Sequence, residues 1–259
     1  MKVQAIKYDP PSFTDELYQR ALLLLDTESA TKVKKFYRRE DACRTLIGRF
    51  LPRMLLHAQG IPLKDIKFAA TASGKPYFAK PPIAYNVSHD NGLVAMVSSS
   101  NTHNPPAFTI GVDVMKVRVP GREPFKSFVK TMSEQLTTLE LRLVSSATNE
   151  KQGLEYFFWI WTAKEAYTKA LGLGLGFDFR RIEFNPALDV LKVDGAVPKG
   201  WQLNKFTIMQ GTDLYQGVVA EFVGGEETTV VAESGPHDWL EVIDATVFIQ
   251  EAIQGLGSQ

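Results

Sequence analysis

The sequence predicts an α+β fold built from two halves that meet near residue 105, with boundaries at 1–105 and 106–259. Three observations carry this. Strand-like and helix-like segments are mixed without the regular βαβ alternation of a parallel sheet. The stretch SSSNTHNPP, residues 98–106, is rich in Ser, Asn and Pro and has no apolar period, so it reads as a linker. With 259 residues, 44% apolar and 22% charged, the chain is long enough to bury a substantial core. No sequence repeat relates the halves.

The elements follow in order. KVQAIKY alternates as an edge strand does. TDELYQRALLLL has helical spacing, and Thr14 is placed to cap it. EDACRTLIGRFLPRMLLHAQG is a longer helix that Gly60 should stop. IKFAATASGKPYFA reads as two short strands around a Ser-Gly turn. IAYNVSH and GLVAMVSS pair through the hairpin turn DNG. AFTIGVDVM reads as a buried strand. Ser133 is placed to cap EQLTTLELRLV. A long helix is expected from about Asn149 to Leu171, with GLGLGF ending it. RIEF, NKFTIMQ, YQGVVAEFV and TTVVAE are further strands, and a short helix near TVFIQEAIQ closes the chain.

Several function classes fall away. Formal charge is balanced at 29 basic and 29 acidic residues. The basic cluster Lys32, Lys34, Lys35, Arg38, Arg39, Arg44, Arg49 and Arg53 is too short to track a long nucleic acid. It suits a solvated helix face, or a phosphate or acidic partner. The single cysteine, Cys43, allows no internal disulfide and no cysteine metal site. MKVQAIKYDPP has no apolar core of a signal peptide, so a cytoplasmic location is expected. The longest apolar runs fall far short of the roughly 18 residues needed to span a membrane. GLGLGF lacks dinucleotide-binding spacing and follows a helix. Ser88 and His89 are neighbours on a strand and point to opposite faces, which disfavours a hydrolase triad.

The acids remain. Asp113 stands near the end of a buried strand, where a carboxylate is costly unless compensated; a turn-starting aspartate is the plain structural alternative. WTAKEAYTK places Trp161, Glu165 and Lys169 on one face of a largely apolar helix. An i,i+4 pair between Glu165 and Lys169 is worth only about 0.2–0.5 kcal/mol. A magnesium ion, which favours one or two carboxylates with phosphate oxygens and water, accounts for both acids. Lys169, His89, Lys75 and the basic cluster then become phosphate partners, which describes a phosphoryl-transfer site.

In this light IGVD at residues 110–113 with WTAKEAYTK resembles the paired signature of 4′-phosphopantetheinyl transferases of the Sfp type. GKPY at 74–77 and NVSH at 86–89 support it in the expected order. The likeness runs from about residue 32 to about 184. GVDVM followed by PGR is most similar to the eukaryotic single-copy members, which serve several carrier proteins including aminoadipate reductase. The resemblance implies a pseudo-dimer of two similar α+β halves with the active site between them. It also implies transfer of phosphopantetheine from coenzyme A to a serine of an apo acyl or peptidyl carrier protein, releasing 3′,5′-ADP. Such carriers occur in fatty acid, polyketide and nonribosomal peptide synthases as well as in the reductase. By position, Asp113 and Glu165 become magnesium ligands and Lys169 the stabiliser of phosphate charge. Lys32, Lys75, Ser88, His89 and Lys164 become contacts to coenzyme A.

The chain departs from the pattern at Met115, where many bacterial members carry a third acid; water or Asp90 would complete the magnesium shell. Glu165, directly or through a metal-bound water, is a candidate base for the serine. Trp161 is expected to pack beneath the acids and fix its helix to the sheet of the second half. An internally duplicated chain can complete its own site, so a monomer is expected. A non-catalytic carrier- or coenzyme A-binding module and a magnesium-dependent phosphohydrolase are the rival readings.

Overall fold

A computed structural model describes residues 1–100, 109–174, 176–232 and 238–257. In chain order its elements are β1 (Lys2–Lys7), α1 (Asp15–Leu22), α2 (Thr27–Lys34), α3 (Arg39–His57), β2 (Phe68–Ala70), β3 (Pro76–Ala79), β4 (Pro82–Asp90), β5 (Leu93–Ser99), β6 (Ile110–Lys116), α4 (Phe125–Met132), α5 (Thr138–Ser145), α6 (Glu150–Leu171), β7 (Ile182–Asn185), β8 (Val190–Val193), β9 (Trp201–Gln210), β10 (Asp213–Phe222), β11 (Thr229–Ala232), β12 (Leu240–Asp244) and α7 (Ala245–Gly257).

The strands form two main sheets, ordered β12-β1-β5-β4-β3-β2 and β11-β9-β10-β6, with β7 and β8 as a separate hairpin. Side-chain alternation divides each sheet between two cores. In the first sheet, Ile6, Tyr85, Val94 and Met96 face α1, α3 and α7. Val3, Ala5, Ala95 and Val97 face the opposite way, against Ile110, Val112, Val114, Phe206 and Val219 of the second sheet. Leu203, Val218 and Ala220 then turn outward under α6. The result is four layers, helices–sheet–sheet–helices, in which each α+β half contributes one sheet and its covering helices. This is the two-half architecture the sequence predicts.

Local chemistry explains most boundaries. Thr14 caps α1 by accepting the Leu17 amide. Asn149 caps α6 through the Gln152 amide, and Gly172 ends that helix in the left-handed region at φ 68°. The β4–β5 hairpin closes at Asn91 and Gly92, with Asp90 opposite Leu93.

Some expectations differ. β1 is interior, because β12 pairs with it in parallel along its outer side. Residues 240–257, assigned by the 105/106 division to the second half, return to the first. β12 extends its sheet, and Phe248, Ile249 and Ala252 of α7 join its core. Thr137, not Ser133, caps α5, through a capping box with Glu140; Ser133 begins a separate short 3₁₀ turn. Ser98 and Ser99 of the expected linker belong to β5, and 101–106 lie outside the described residues. α2 is the helix expected to carry Lys32, whereas α4, β8 and β12, of eight, four and five residues, are elements beyond those read from the sequence.

Candidate active site

The site forms where β6 meets α6, and glycine lets them meet. A Cβ on Gly111 would stand 2.2 Å from the Ala166 carbonyl oxygen and 2.4 Å from the Ala170 amide nitrogen. Only a residue without a side chain lets the strand lie on the helix backbone this closely. Two residues on, and so on the same face of the strand, Asp113 is directed at the helix. Its carboxylate is 4% exposed. Oδ1 accepts hydrogen bonds from Lys169 Nζ at 2.6 Å and from Ser88 Oγ at 2.8 Å, while Lys169 also donates to Ser88 Oγ at 3.0 Å. Oδ2 is buried and has no hydrogen-bond partner.

Burial pushes the pKa of Asp113 up, and Lys169 opposes that rise. Glu165 is also shifted up, first by burial and then by the charge of Asp113. The two carboxylates, one from each motif, therefore feel one another. A pair of acids held together with an unsatisfied buried oxygen between strand and helix fits a divalent cation that takes one or two protein carboxylates and fills its other positions with phosphate and water. Among the described residues no group of three or more His, Cys, Asp or Glu could hold a metal ion. Met115 packs against the outer core of the second half instead.

Strand alternation also gives NVSHD two jobs. Asn86, Ser88 and Asp90 face β6, whose far edge is paired with no strand among the described residues. Asn86 Oδ1 accepts the Val112 amide at 2.9 Å, and Asp90 Oδ2 accepts the Lys116 amide at 2.8 Å. These side chains close an edge that would otherwise present bare amides. Val87 and His89 face the other way, into a cleft of about 1430 Å³ that Lys32, Arg44, Arg49 and Lys64 also line. Burial, followed by the charges of Arg44 and Lys169, holds the His89 pKa down. Lys32 stands on the cleft wall, where it pairs with Glu28 at 2.6 Å.

The structure thus brings together Asp113, Glu165, Lys169 and Ser88, with His89 and Lys32 on the adjoining cleft. Asp90 lies in the same row as Ser88 but gives one oxygen to the backbone. Three expected coenzyme A contacts are placed elsewhere. Lys164 is fully buried and pairs with Glu140 at 2.6 Å, on a different side of the helix from Lys169; Glu140 also accepts the amides of Thr137 and Phe184. Its amine belongs to the core that fixes α6 to α5 and β7. Lys75 Nζ donates to the carbonyls of Ile110 and Ala170, away from the cleft. Ser88 meets Asp113 and Lys169 rather than the cleft wall. Trp161 stacks on Phe157 and meets Phe179 in the turn after α6; Tyr167, against Trp201, makes the expected contact to the second sheet. Arg44 and Arg49 line the cleft with His89, but the basic run alone does not reveal which of its members face that strand, and Lys64, outside the run, carried no signal in the sequence. Arg39, from the same run, instead lies over Tyr18 and pairs with Asp15.

Comparison with known proteins gives this arrangement its context. Residues 109–193 match the model of the 4′-phosphopantetheinyl transferase superfamily, and residues 11–101 match that of the 4′-phosphopantetheinyl transferase N-terminal region. The chain is 44% identical to 4′-phosphopantetheinyl transferase pptA of Paxillus involutus, over 99% of this chain and 100% of that one. It belongs to the 4′-phosphopantetheinyl transferase family. One matched region falls in each half, and the second carries both acids. Among other members, Sfp of Bacillus subtilis is 30% identical over 68% of this chain and 72% of its own. The L-aminoadipate-semialdehyde dehydrogenase-phosphopantetheinyl transferase of Rattus norvegicus is 29% identical over 73% of this chain and 65% of its own. Both the resemblance to Sfp-type transferases and the enzyme class read from the motifs are thereby established.

Proposed function

We propose that this phosphopantetheinyl transferase takes coenzyme A as donor, requires magnesium, and modifies a serine of apo acyl or peptidyl carrier proteins, releasing 3′,5′-ADP. The observation that carries the proposal is the buried Asp113 carboxylate, with Oδ1 held by Lys169 and Ser88, Oδ2 unpartnered, and Glu165 beside it. Asp113 and Glu165 would hold the ion, which supplies charge neutralisation at the coenzyme A pyrophosphate when bound.

The residues then divide the remaining work. The cleft bearing Lys32, Arg44, Arg49 and Lys64 suits a ligand rich in phosphate, and its apolar floor, including Phe68 and Tyr85, suits the nucleoside. His89 stands at the end of this cleft toward Lys169. Phosphoryl transfer asks a protein mainly for positioning and charge neutralisation. The serine oxygen forms a bond to the phosphorus on the pantetheine side, and the bond from that phosphorus to the bridging oxygen breaks, so 3′,5′-ADP leaves with the electron pair. Glu165, its pKa raised by burial and by Asp113, is assigned to accept the serine proton. Lys169 faces the charge that develops on the phosphate, and Ser88 fixes Asp113 and Lys169 relative to one another. The relatives named for aminoadipate-semialdehyde dehydrogenase support a carrier domain of that kind among the partners, alongside fatty acid, polyketide or nonribosomal peptide synthases. A monomer is proposed on the two-half site, which a single chain completes.

Mass measurement of an apo carrier protein incubated with the chain, coenzyme A and Mg²⁺ tests the reading. Gain of the phosphopantetheine mass is expected. Free phosphopantetheine without an adduct would indicate a phosphohydrolase, and no change at all would indicate a binding module; either result overturns the proposal.

A further inference from the structure

The GKPY turn does something its sequence does not announce. Residues 71–75 form a closed turn: the Thr71 amide donates to the Lys75 carbonyl at 2.9 Å, the Gly74 amide to the Thr71 carbonyl at 2.9 Å, and the Lys75 amide to Thr71 Oγ1 at 3.1 Å. The turn sends the Lys75 side chain inward, where the residue is 7% exposed. Nζ reaches Ile110 O at 2.5 Å and Ala170 O at 2.8 Å. Ile110 opens the strand that carries Asp113. Ala170 follows Lys169 in the last turn of α6, where unsatisfied carbonyls concentrate negative charge and attract a cation. The rest of the turn lies against the same helix end, since a Cβ on Gly172 would stand 2.5 Å from Ser73 Oγ. One amine from the first half therefore grips both elements of the second-half site, at the place where Gly111 lets them touch.

We propose that Lys75 is a positioning residue, a buried clasp between β6 and α6 that holds Asp113 at its working distance from Glu165 and Lys169, and not a ligand of coenzyme A phosphate. An unclasped ammonium at this depth is costly, and burial pushes the amine down to about 7; the carbonyls of Ile110 and Ala170 favour its charged form. The clasp links the halves mechanically, since the turn that supplies it belongs to the first and both its acceptors to the second. The inference rests on the metal and donor assignments above, so its test separates them.

Lys75→Met and Lys75→Arg are compared with the unaltered chain in three measurements: Mg²⁺ affinity of the free protein by calorimetry, KM for coenzyme A, and kcat with an apo carrier protein. Arginine keeps the cation, but its planar fork does not match a slot shaped by two carbonyls. Both variants should weaken Mg²⁺ binding about tenfold or more and lower kcat by roughly 10²-fold, the scale of a 1 Å misplacement, with KM for coenzyme A near the unaltered value. Thr71→Val leaves Lys75 intact but removes the hydroxyl that accepts the Lys75 amide and shapes the turn, so it should show the same pattern in milder form and decides the matter if Lys75→Met does not fold. A raised KM for coenzyme A in Lys75→Met, retained KM in Lys75→Arg, and unchanged Mg²⁺ affinity in both would identify a phosphate contact and overturn the clasp. Absence of transfer by the unaltered chain would instead sink the proposed reaction, leaving the Mg²⁺ measurement to judge the clasp.

Discussion

Replacing Gly111 with alanine tests the geometry on which the site stands. The new Cβ would lie 2.2 Å from one backbone atom of α6 and 2.4 Å from another. Non-bonded heavy atoms settle near 3.5 Å, so strand and helix must separate by roughly 1 Å. Neither obstructing atom belongs to a side chain that can rotate away. Overpacking of this kind costs about 1–3 kcal/mol, which in a protein this size lowers Tm by roughly 2–4 °C per kcal/mol. The functional cost should be larger than the loss of fold suggests, because the displaced elements carry Asp113 on one side and Glu165 with Lys169 on the other. A misplacement of 1 Å can cost about 10²-fold in rate. We expect Gly111→Ala to remain folded by circular dichroism, to melt several degrees lower, and to transfer phosphopantetheine about 10²-fold more slowly. A variant with unaltered Tm and near-normal turnover would refute the argument that close approach of β6 and α6 builds the site.

Lys169→Ala removes the cation on Asp113 and should lower turnover by about 10²–10³-fold, the scale of one electrostatic stabiliser; a near-normal rate would show that Lys169 serves only as the apo counter-ion. Lys164→Met strands the fully buried Glu140 and should destabilise the chain by about 3–5 kcal/mol in urea unfolding, whereas adding Glu140→Gln, which removes the charge but keeps a carbonyl acceptor for the neighbouring amides, should recover much of that loss. If Lys164→Met instead raised KM for coenzyme A at unchanged stability, the core assignment of that lysine would fail. The raised pKa values of Asp113 and Glu165 give a pH signature. Because each folded-state value lies above the unfolded one, the metal-free protein is stabilised by this pair below the ordinary carboxylate range and loses that contribution as pH rises through the raised values. Mg²⁺ should therefore stabilise the fold little at mildly acidic pH and progressively more toward neutral, by up to about 2.7 kcal/mol at 100 times its Kd, read as a rise in Tm. A pH-independent Tm shift, or one that survives Asp113→Ala, would place the ion elsewhere.

Sequence alone established the class of elements and the family to which the motifs belong. Caps and turns such as Thr14, Asn149, Gly172 and Asn91-Gly92 act through hydrogen bonds within a few residues, so the chain carries their instructions locally. Asp113 and Glu165 stand out in the sequence because carboxylates in apolar surroundings are costly wherever they occur, and it is the family resemblance that pairs IGVD with WTAKEAYTK and adds Lys169. Tertiary structure decided what depends on which face meets which neighbour. Lys75 and Lys164 look in sequence like two more cations of a phosphate site, yet both amines are buried on protein acceptors, whereas Lys32, Arg44 and Arg49 line the cleft. Asn86, Ser88 and Asp90 close the free edge of β6, and β12 with α7 returns from the far end of the chain to complete the first sheet. Charge and period fix what a side chain can do; the carbonyl or carboxylate within 3 Å of it comes from residues tens of positions away, and only folding chooses that partner.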